Sequence, residues 1–274
     1  MNVLSLFDGI SCGRLALERA GIPVATYYAS EIDKHAITVS KANWPDVVQL
    51  GDVINVRAES LPKIDLLLAG SPCQGFSSNG SQKGLEHKQS RLFWEFIRLL
   101  RALKPKHFLL ENVSMKQEWR DIISKEVGCE PLKINSSLVS AQSRPRLYWT
   151  NIPGVTVPED KGLTIFDILE FPAAPVQPMV TRARKSYCLT ATHGNCLGKD
   201  GLPIPSEIIH NTKRHQRTCI IHDDHWRMLS PVECERLQTV PDGYTSSVTQ
   251  RQRYRCLGNG WTVDVIAHLL SFKL

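Results

Sequence analysis

The sequence predicts a doubly wound α/β sheet carrying a small irregular lobe, on three observations. Short apolar runs alternate with helix-length amphipathic stretches over the first 150 residues, as expected for a parallel sheet joined by crossover helices. The strand-like runs are apolar throughout, as strands buried on both faces are. After Pro153 the pattern breaks: residues 153–225 are rich in proline, hold five of the nine histidines and show little helical period.

In chain order, Val3 to Phe7 reads as a buried strand, and Cys12 to Ala20 as a helix stopped by Gly21. Val24 to Ala29 is rich in β-branched and aromatic residues and reads as a second strand. A helix over Lys34 to Asn43 ends before Trp44-Pro45, where proline prevents continuation. Strand-like Val47 to Leu50, strand Leu66 to Ala69, a helix over Arg91 to Leu103 and strand Phe108 to Leu110 follow. Trp119 to Glu126, Lys133 to Val139 and Leu147 to Asn151 continue the alternation. Helical pattern returns from Arg227, and Val263 to Leu270 reads as a closing amphipathic helix. The expected division is 1–152 plus 226–274 as one discontinuous domain, with 153–225 as the second lobe.

Composition excludes several classes. Of 274 residues, 42% are hydrophobic and 22% charged, which argues against disorder and fibres. No apolar run reaches membrane-spanning length, and no basic segment precedes an apolar one at the start, so neither membrane insertion nor secretion is expected. The eight cysteines contain no CxxC pair and read as reduced thiols. The net charge of +6 permits a polyanionic partner without requiring one.

Four segments are placed to carry chemistry. The first turn reads Phe7-Asp8-Gly9-Ile10-Ser11-Cys12-Gly13, and its glycines allow close backbone approach to a ligand. Glu31 follows the second strand, with Ile32 and Asp33 behind it, and an acid there can bind ribose hydroxyls. This is not the GxGxxG pattern, so no pyrophosphate is implied. Gly70-Ser71-Pro72-Cys73-Gln74-Gly75 follows the strand Leu66 to Ala69, a poor place for a buried filler cysteine and a good one for a nucleophile. Glu111, at the end of an apolar strand, needs a partner or a task. In Gln142-Ser143-Arg144-Pro145-Arg146, arginines two apart in an extended segment point to one side. The bland alternatives stay open for each: a turn glycine, a surface acid, a helix N-terminal carboxylate, a solvated loop.

Taken together and in order, these elements resemble the cytosine-5 DNA methyltransferase family. Phe7-Asp8-Gly9 is similar to its cofactor motif, Glu31 to the ribose-binding acid, Asp52-Val53 to the adenine-contacting pair, Ser71-Pro72-Cys73-Gln74 to the catalytic loop, Glu111-Asn112-Val113 to the ENV motif and Gln142 through Arg146 to QxRxR. Arg227 through Gln238 resembles the motif that supports the recognition lobe, and Gly258-Asn259-Gly260-Trp261 the last motif, beside the first strand. Phe7-Asp8-Gly9-Ile10, Lys83-Gly84-Leu85 and Arg91-Leu92-Phe93 lean toward the animal de novo branch, while a core without flanking reader domains resembles bacterial or phage enzymes. Asp8 and Gly260 stand where many members carry glycine and serine.

The resemblance implies a Rossmann-like sheet that uses S-adenosylmethionine and a target-recognition lobe at 153–225. It implies methyl transfer to carbon 5 of a flipped-out cytosine in duplex DNA. Cys73 would add to carbon 6, a protonated Glu111 would bond ring nitrogen 3, and Arg144 and Arg146 would hold the base's carbonyl side and keep the thiolate charged. Phe7, Asp8, Gly9, Ile10, Cys12, Glu31, Ile32, Asp52, Val53, Pro72, Leu92, Asn259, Gly260 and Trp261 would line the cofactor site. The loop Phe76 to Gln89 would close over the base. Arg182, Arg184, Lys185, Lys199, Lys213, Arg214 and Arg217 of the lobe, with Arg251, Arg253 and Arg255, would supply phosphate contacts. Duplex DNA, a cognate restriction endonuclease, a monomeric state and a cytoplasmic location follow from the same resemblance; no metal is expected. The nearest rival is the same chemistry on tRNA; a non-catalytic paralogue and a nicotinamide oxidoreductase are the others, the last weakened by the missing GxGxxG.

Overall fold

The structure, a computed structural model, describes residues 1–71, 91–170, 185–191, 218–222 and 225–272. The chain divides into two compact units: Met1–Ile134 with Pro145–Val157 and Val265–Leu274, and Asn135–Arg144 with Pro158–Asp264. Residues 226–264, expected with the first domain, thus group with the second unit.

The first unit is built on a sheet of seven strands among the described residues, ordered β3-β2-β1-β4-β5-β7-β6. These are β1 (Asn2–Leu6), β2 (Thr26–Ser30), β3 (Val48–Gln49), β4 (Leu66–Gly70), β5 (His107–Val113), β6 (Leu132–Asn135) and β7 (Pro145–Thr150). β3, β2, β1, β4 and β5 run parallel; β7 is antiparallel to β5. The helices α1 (Cys12–Arg19), α2 (Lys34–Asn43), α3 (Arg91–Leu103) and α4 (Gln117–Val127) connect them. The chain winds outward from β1 to β3, then crosses back to β4, so the switch point falls between β1 and β4.

Period-2 alternation sends Leu4, Leu6, Leu67, Ala69, Phe108, Leu110, Leu147 and Trp149 to one face, where they pack with Phe93, Phe96 and Ile97 of α3 and Ile123 of α4. Val3, Leu66, Leu68 and Leu109 on the opposite face are equally buried, which is why the strands read as continuously apolar. Trp149 is fully buried, and its indole N–H donates to Ser124 Oγ at 3.0 Å. The α2 N-cap is Asp33, whose side chain accepts from His35 N.

The second unit holds a hairpin, β8 (Cys219–His222) with β9 (His225–Met228), and the helices α5 (Pro231–Leu237) and α6 (Gln250–Asn259). β9 and Ser230 occupy the stretch where helical pattern was expected from Arg227. The helix starts only at Pro231, because Ser230 and Glu233 form a capping box with proline in the first turn. A last helix, α7, spans Val263–Leu270 as expected. No helix among the described residues is long and apolar enough to cross a membrane.

Candidate active site

Parallel register lines up the candidate residues. Leu6 pairs with Ser30 and with Ala69, and Gly70 pairs with Glu111. One residue further on stand Phe7, Glu31 and Gly70, so the first turn, the acid after β2, the loop after β4 and Glu111 share the carboxyl edge of the sheet. Ligands of doubly wound sheets bind at that edge, at the switch point.

Glu111 was expected after its strand; β5 instead runs on to Val113, because β7 supplies a pairing partner for each residue. Arg146 pairs with Val113, two residues from Glu111 on the same face, and forms an ion pair with Glu111, its Nε 3.0 Å from Oε1. Both side chains are largely buried, at 14% and 11% exposure, where such a pair is strong only when held in good geometry. Asn112, on the other face, donates to Ser71 Oγ at 2.9 Å and accepts from Val113 N through its own Oδ1. Ser71, the last described residue before Pro72 and Cys73, is thereby tied to the strand that carries Glu111. Pro72, Cys73 and the loop Phe76 to Gln89 lie outside the described residues.

At the other end of the row, Glu31 accepts three backbone N–H groups: Gly9 at Oε2, Ile32 and Asp33 at Oε1, each at 2.8 Å. A carboxylate has about four lone-pair sites, so the group is rigidly aimed with capacity left for a hydroxyl. Ile32 is 73% exposed and Ile54 60% exposed, large apolar surfaces near an acid that the sequence does not need for its core. Asp52 caps the 3-10 turn Val53–Asn55 by accepting from Ile54 N, and Arg98 Nη2 donates to the carbonyls of Val53 and Val56. Ile10 and Cys12 are 1% and 2% exposed; their contribution to a ligand would be through the backbone. Leu92, partly buried, packs on the core.

Asp8 turns inward. Tyr27 donates its hydroxyl to Oδ1 at 2.7 Å and Ser11 to Oδ2 at 2.6 Å. Burial pushes the carboxyl from 3.8 up to about 6, the hydroxyls of Ser11, Ser5 and Tyr27 pulling it partly back and nearby Glu31 adding to the rise. A folded-state value above the unfolded one stabilises the fold below the unfolded value, and that advantage is lost as pH rises toward 6. The loss amounts to about 3 kcal/mol for a shift of this size. Urea midpoints of wild type and Asp8→Asn should therefore diverge between pH 4 and pH 7, with the variant gaining; a constant difference would contradict this.

In the second unit, three buried polar side chains interlock. Gln142 donates to Leu237 O and Gln238 Oε1 and accepts from Leu189 N. Gln238 donates to the carbonyls of Leu257 and Gly260 and accepts from Thr262. Arg144, 4% exposed, donates to Leu189 O at 2.7 Å, Gly258 O at 3.2 Å, Gly260 O at 3.0 Å and Cys188 Sγ at 3.4 Å. The expected catalytic use of Arg144 is thus replaced by a scaffolding one: its guanidinium is taken up by backbone carbonyls around Asn259, Gly260 and Trp261. Asn259 is exposed and Trp261 half-buried in that turn.

Gly258 admits no side chain, because a Cβ there would lie 2.1 Å from Thr190 C and 2.2 Å from Ala191 N. Gly258→Ala should destabilise the protein by about 3 kcal/mol, the upper part of the overpacking range, read as a lowered urea midpoint at unchanged slope; a midpoint equal to wild type would contradict the contact.

Two expected phosphate contacts are corrected. Arg253 Nη2 donates to the fully buried Glu235 at 2.9 Å, and Lys185, 7% exposed, donates to Ser137 O and Ser140 O. Both charges are engaged inside the unit. Arg251 and Arg255 are exposed. Arg182, Arg184, Lys199, Lys213, Arg214 and Arg217 lie outside the described residues.

The model of the C-5 cytosine-specific DNA methylase family matches residues 1–123 and 141–271. The chain is 29% identical to Type II methyltransferase M.NlaX of Neisseria lactamica, over 97% of this chain and 93% of that one. It is 27% identical to Type II methyltransferase M.HhaI of Haemophilus parahaemolyticus, over 98% and 93%. The Entamoeba histolytica methyltransferase EhMeth has a similar fold, with a TM-score of 0.74 over 98% of this chain and 96% of that one, at 18% identity. The family match spans both halves of the row at the carboxyl edge and the Gln142–Gln238 network alike, and the chain belongs to the C-5 cytosine-specific DNA methylase family.

Proposed function

We propose that the protein is a DNA (cytosine-5-)-methyltransferase that transfers a methyl group from S-adenosylmethionine to carbon 5 of a flipped-out cytosine in duplex DNA, through a Cys73 adduct at carbon 6. The observation that carries this is the pairing of Glu111 with Arg146 at 3.0 Å beside Ser71, which is bonded to Asn112. The carboxyl and the guanidinium stand at the sheet edge from which the chain continues beyond Ser71, two residues on in sequence, to the cysteine read as the nucleophile.

The residues present fit the cofactor. Glu31, held by three N–H groups, has room for a ribose hydroxyl; exposed Ile32 and Ile54 offer apolar cover for a purine; Gly9 has nothing within 4 Å of where a Cβ would stand. The N-terminus of α1 follows the same turn and favours a carboxylate. Bound there, the cofactor supplies an electrophilic methyl group on sulfur.

The chain's own residues do the rest. Cytosine carbon 5 is too weak a nucleophile to react directly. The Cys73 thiolate adds to carbon 6 while Glu111 gives a proton to ring nitrogen 3, leaving carbon 5 enamine-like. Arg146 pairs with the Glu111 carboxyl and sets its charge beside the base's carbonyl side. After methylation, solvent takes up the carbon 5 proton, the Cys73 thiolate leaves carbon 6, and the proton on ring nitrogen 3 returns to the Glu111 carboxylate, which restores the neutral aromatic ring. Extruding the base costs a few kcal/mol, offset by the pocket. The lobe at 153–225, with exposed Arg251 and Arg255, meets the DNA. A cognate restriction endonuclease, a monomeric state and a cytoplasmic location belong to the same reading.

The test is methyl transfer from labelled S-adenosylmethionine to duplex DNA and, side by side, to tRNA. Label in DNA as 5-methylcytosine is expected, and bisulfite sequencing of DNA from expressing cells then yields the target sequence. Label confined to tRNA, or absent from both, would overturn the reading.

A further inference from the structure

The turn between β1 and α1 takes the left-handed conformation three times in five residues: Phe7 at φ 57°, Gly9 at φ 62° and Ser11 at φ 60°. Glycine adopts it freely; phenylalanine and serine do so only where the surroundings hold them. Ser11, the N-cap of α1, makes no capping bond to its own helix, so its hydroxyl is used elsewhere.

Its use is a buried chain of donors that converges on Asp8. Gln49 Nε2 donates to Ser40 Oγ at 3.1 Å, and the Ser40 and Ser11 hydroxyls are 2.7 Å apart. The Ser11 proton is committed to Asp8 Oδ2 at 2.6 Å, so Ser40 donates to Ser11. Tyr27 closes the chain from the other side on Oδ1. The links span β3, α2, the turn and β2. Tyr27 is 1% exposed and Ser11 and Ser40 are fully buried; a ligand at the outer face of the turn cannot touch them.

We propose that Asp8 is a positioning residue: shared between Tyr27 and Ser11, its carboxyl holds the Phe7–Ser11 turn in the shape that presents Gly9 and the first turn of α1 to S-adenosylmethionine, without touching that ligand. This rests on the reading of the turn as the cofactor loop and replaces the direct contact expected from the sequence. Asparagine preserves the arrangement. Its Oδ1 accepts from Tyr27, and its amide donates to Ser11 Oγ, which then donates to Ser40.

The test measures the Kd of S-adenosylhomocysteine by calorimetry, and kcat and KM for methyl transfer, on the full chain. Asp8→Ala should weaken cofactor binding at least tenfold, with kcat at saturating cofactor within threefold of wild type. Asp8→Asn should restore Kd to within threefold. Tyr27→Phe, which removes one hydroxyl that no ligand reaches, should weaken binding about threefold. Asp8→Ala/Tyr27→Phe should bind no more weakly than Asp8→Ala alone, because Tyr27 acts through Asp8. Binding by Asp8→Asn as weak as by Asp8→Ala, or by Tyr27→Phe as strong as wild type, would overturn this inference alone. A wild-type protein that binds no S-adenosylhomocysteine would overturn it together with the cofactor reading.

Discussion

Cys73→Ala is expected to lower methyl transfer to cytosine by about 10⁴-fold or more, the scale of losing a covalent nucleophile. Affinity for S-adenosylhomocysteine should stay within twofold of wild type. The split follows from where the two halves of the row stand. The residues read as holding the cofactor leave β1 and β2, whereas Cys73 follows β4 beyond Ser71. Without the sulfur, carbon 5 of cytosine gains no enamine character. Single-turnover rates on duplex DNA, with calorimetry on the same preparation, check this. Turnover at the wild-type rate would refute Cys73 as the nucleophile.

Glu111 carries the second large effect. Glu111→Ala should slow chemistry by about 10²–10⁴-fold, the range of a positioned general acid. It should also destabilise the fold, because the Arg146 guanidinium stays largely buried after losing its 3.0 Å partner. Breaking such a pair from one side costs about 3 kcal/mol. Glu111→Gln separates the two consequences: the amide oxygen keeps a polar atom beside Arg146 Nε, so the melting temperature should move far less than in Glu111→Ala, while the rate stays at least 10²-fold down because an amide supplies no proton to ring nitrogen 3. A glutamine variant that turns over like wild type would show that protonation is not the role of Glu111.

Much of the architecture was legible because periodicity and breakers report directly on local structure. The helices Lys34–Asn43, Arg91–Leu103 and Val263–Leu270 fall where amphipathic period and flanking breakers put them. What the sequence did not disclose depends on partners distant in the chain. β5 extends through Glu111 to Val113 only because β7 lies against it, and no local signal marks that pairing. Arg144 and Arg146 were read as side by side from their spacing, a rule that holds within a strand. The strand begins at Pro145, so Arg144 falls outside the alternation and is drawn to the carbonyls of Leu189, Gly258 and Gly260.

The same reasoning explains the residues that sequence reading passed over. Tyr27 and Ser40 look like ordinary strand and helix residues; their roles arise from a buried network that spans four elements. One signal was available for Ser40, a small polar residue beside Val39 on the buried face of α2, a position that burial permits only with a partner. Asp8, in contrast, looked like a ligand contact because of its place in the turn, and only its inward rotamer reveals the other use.

The most direct test of the account is to offer the protein duplex DNA carrying 5-fluorocytosine at its target, with S-adenosylmethionine, and to analyse the product by denaturing electrophoresis and peptide mass mapping. Fluorine at carbon 5 cannot leave as the proton does, so the sulfur should remain bonded to carbon 6. A protein–DNA species that survives denaturation, formed only with the cofactor and mapping to the peptide containing Cys73, is the predicted result. Methylation of ordinary cytosine without any such species, or with attachment at another residue, would contradict it.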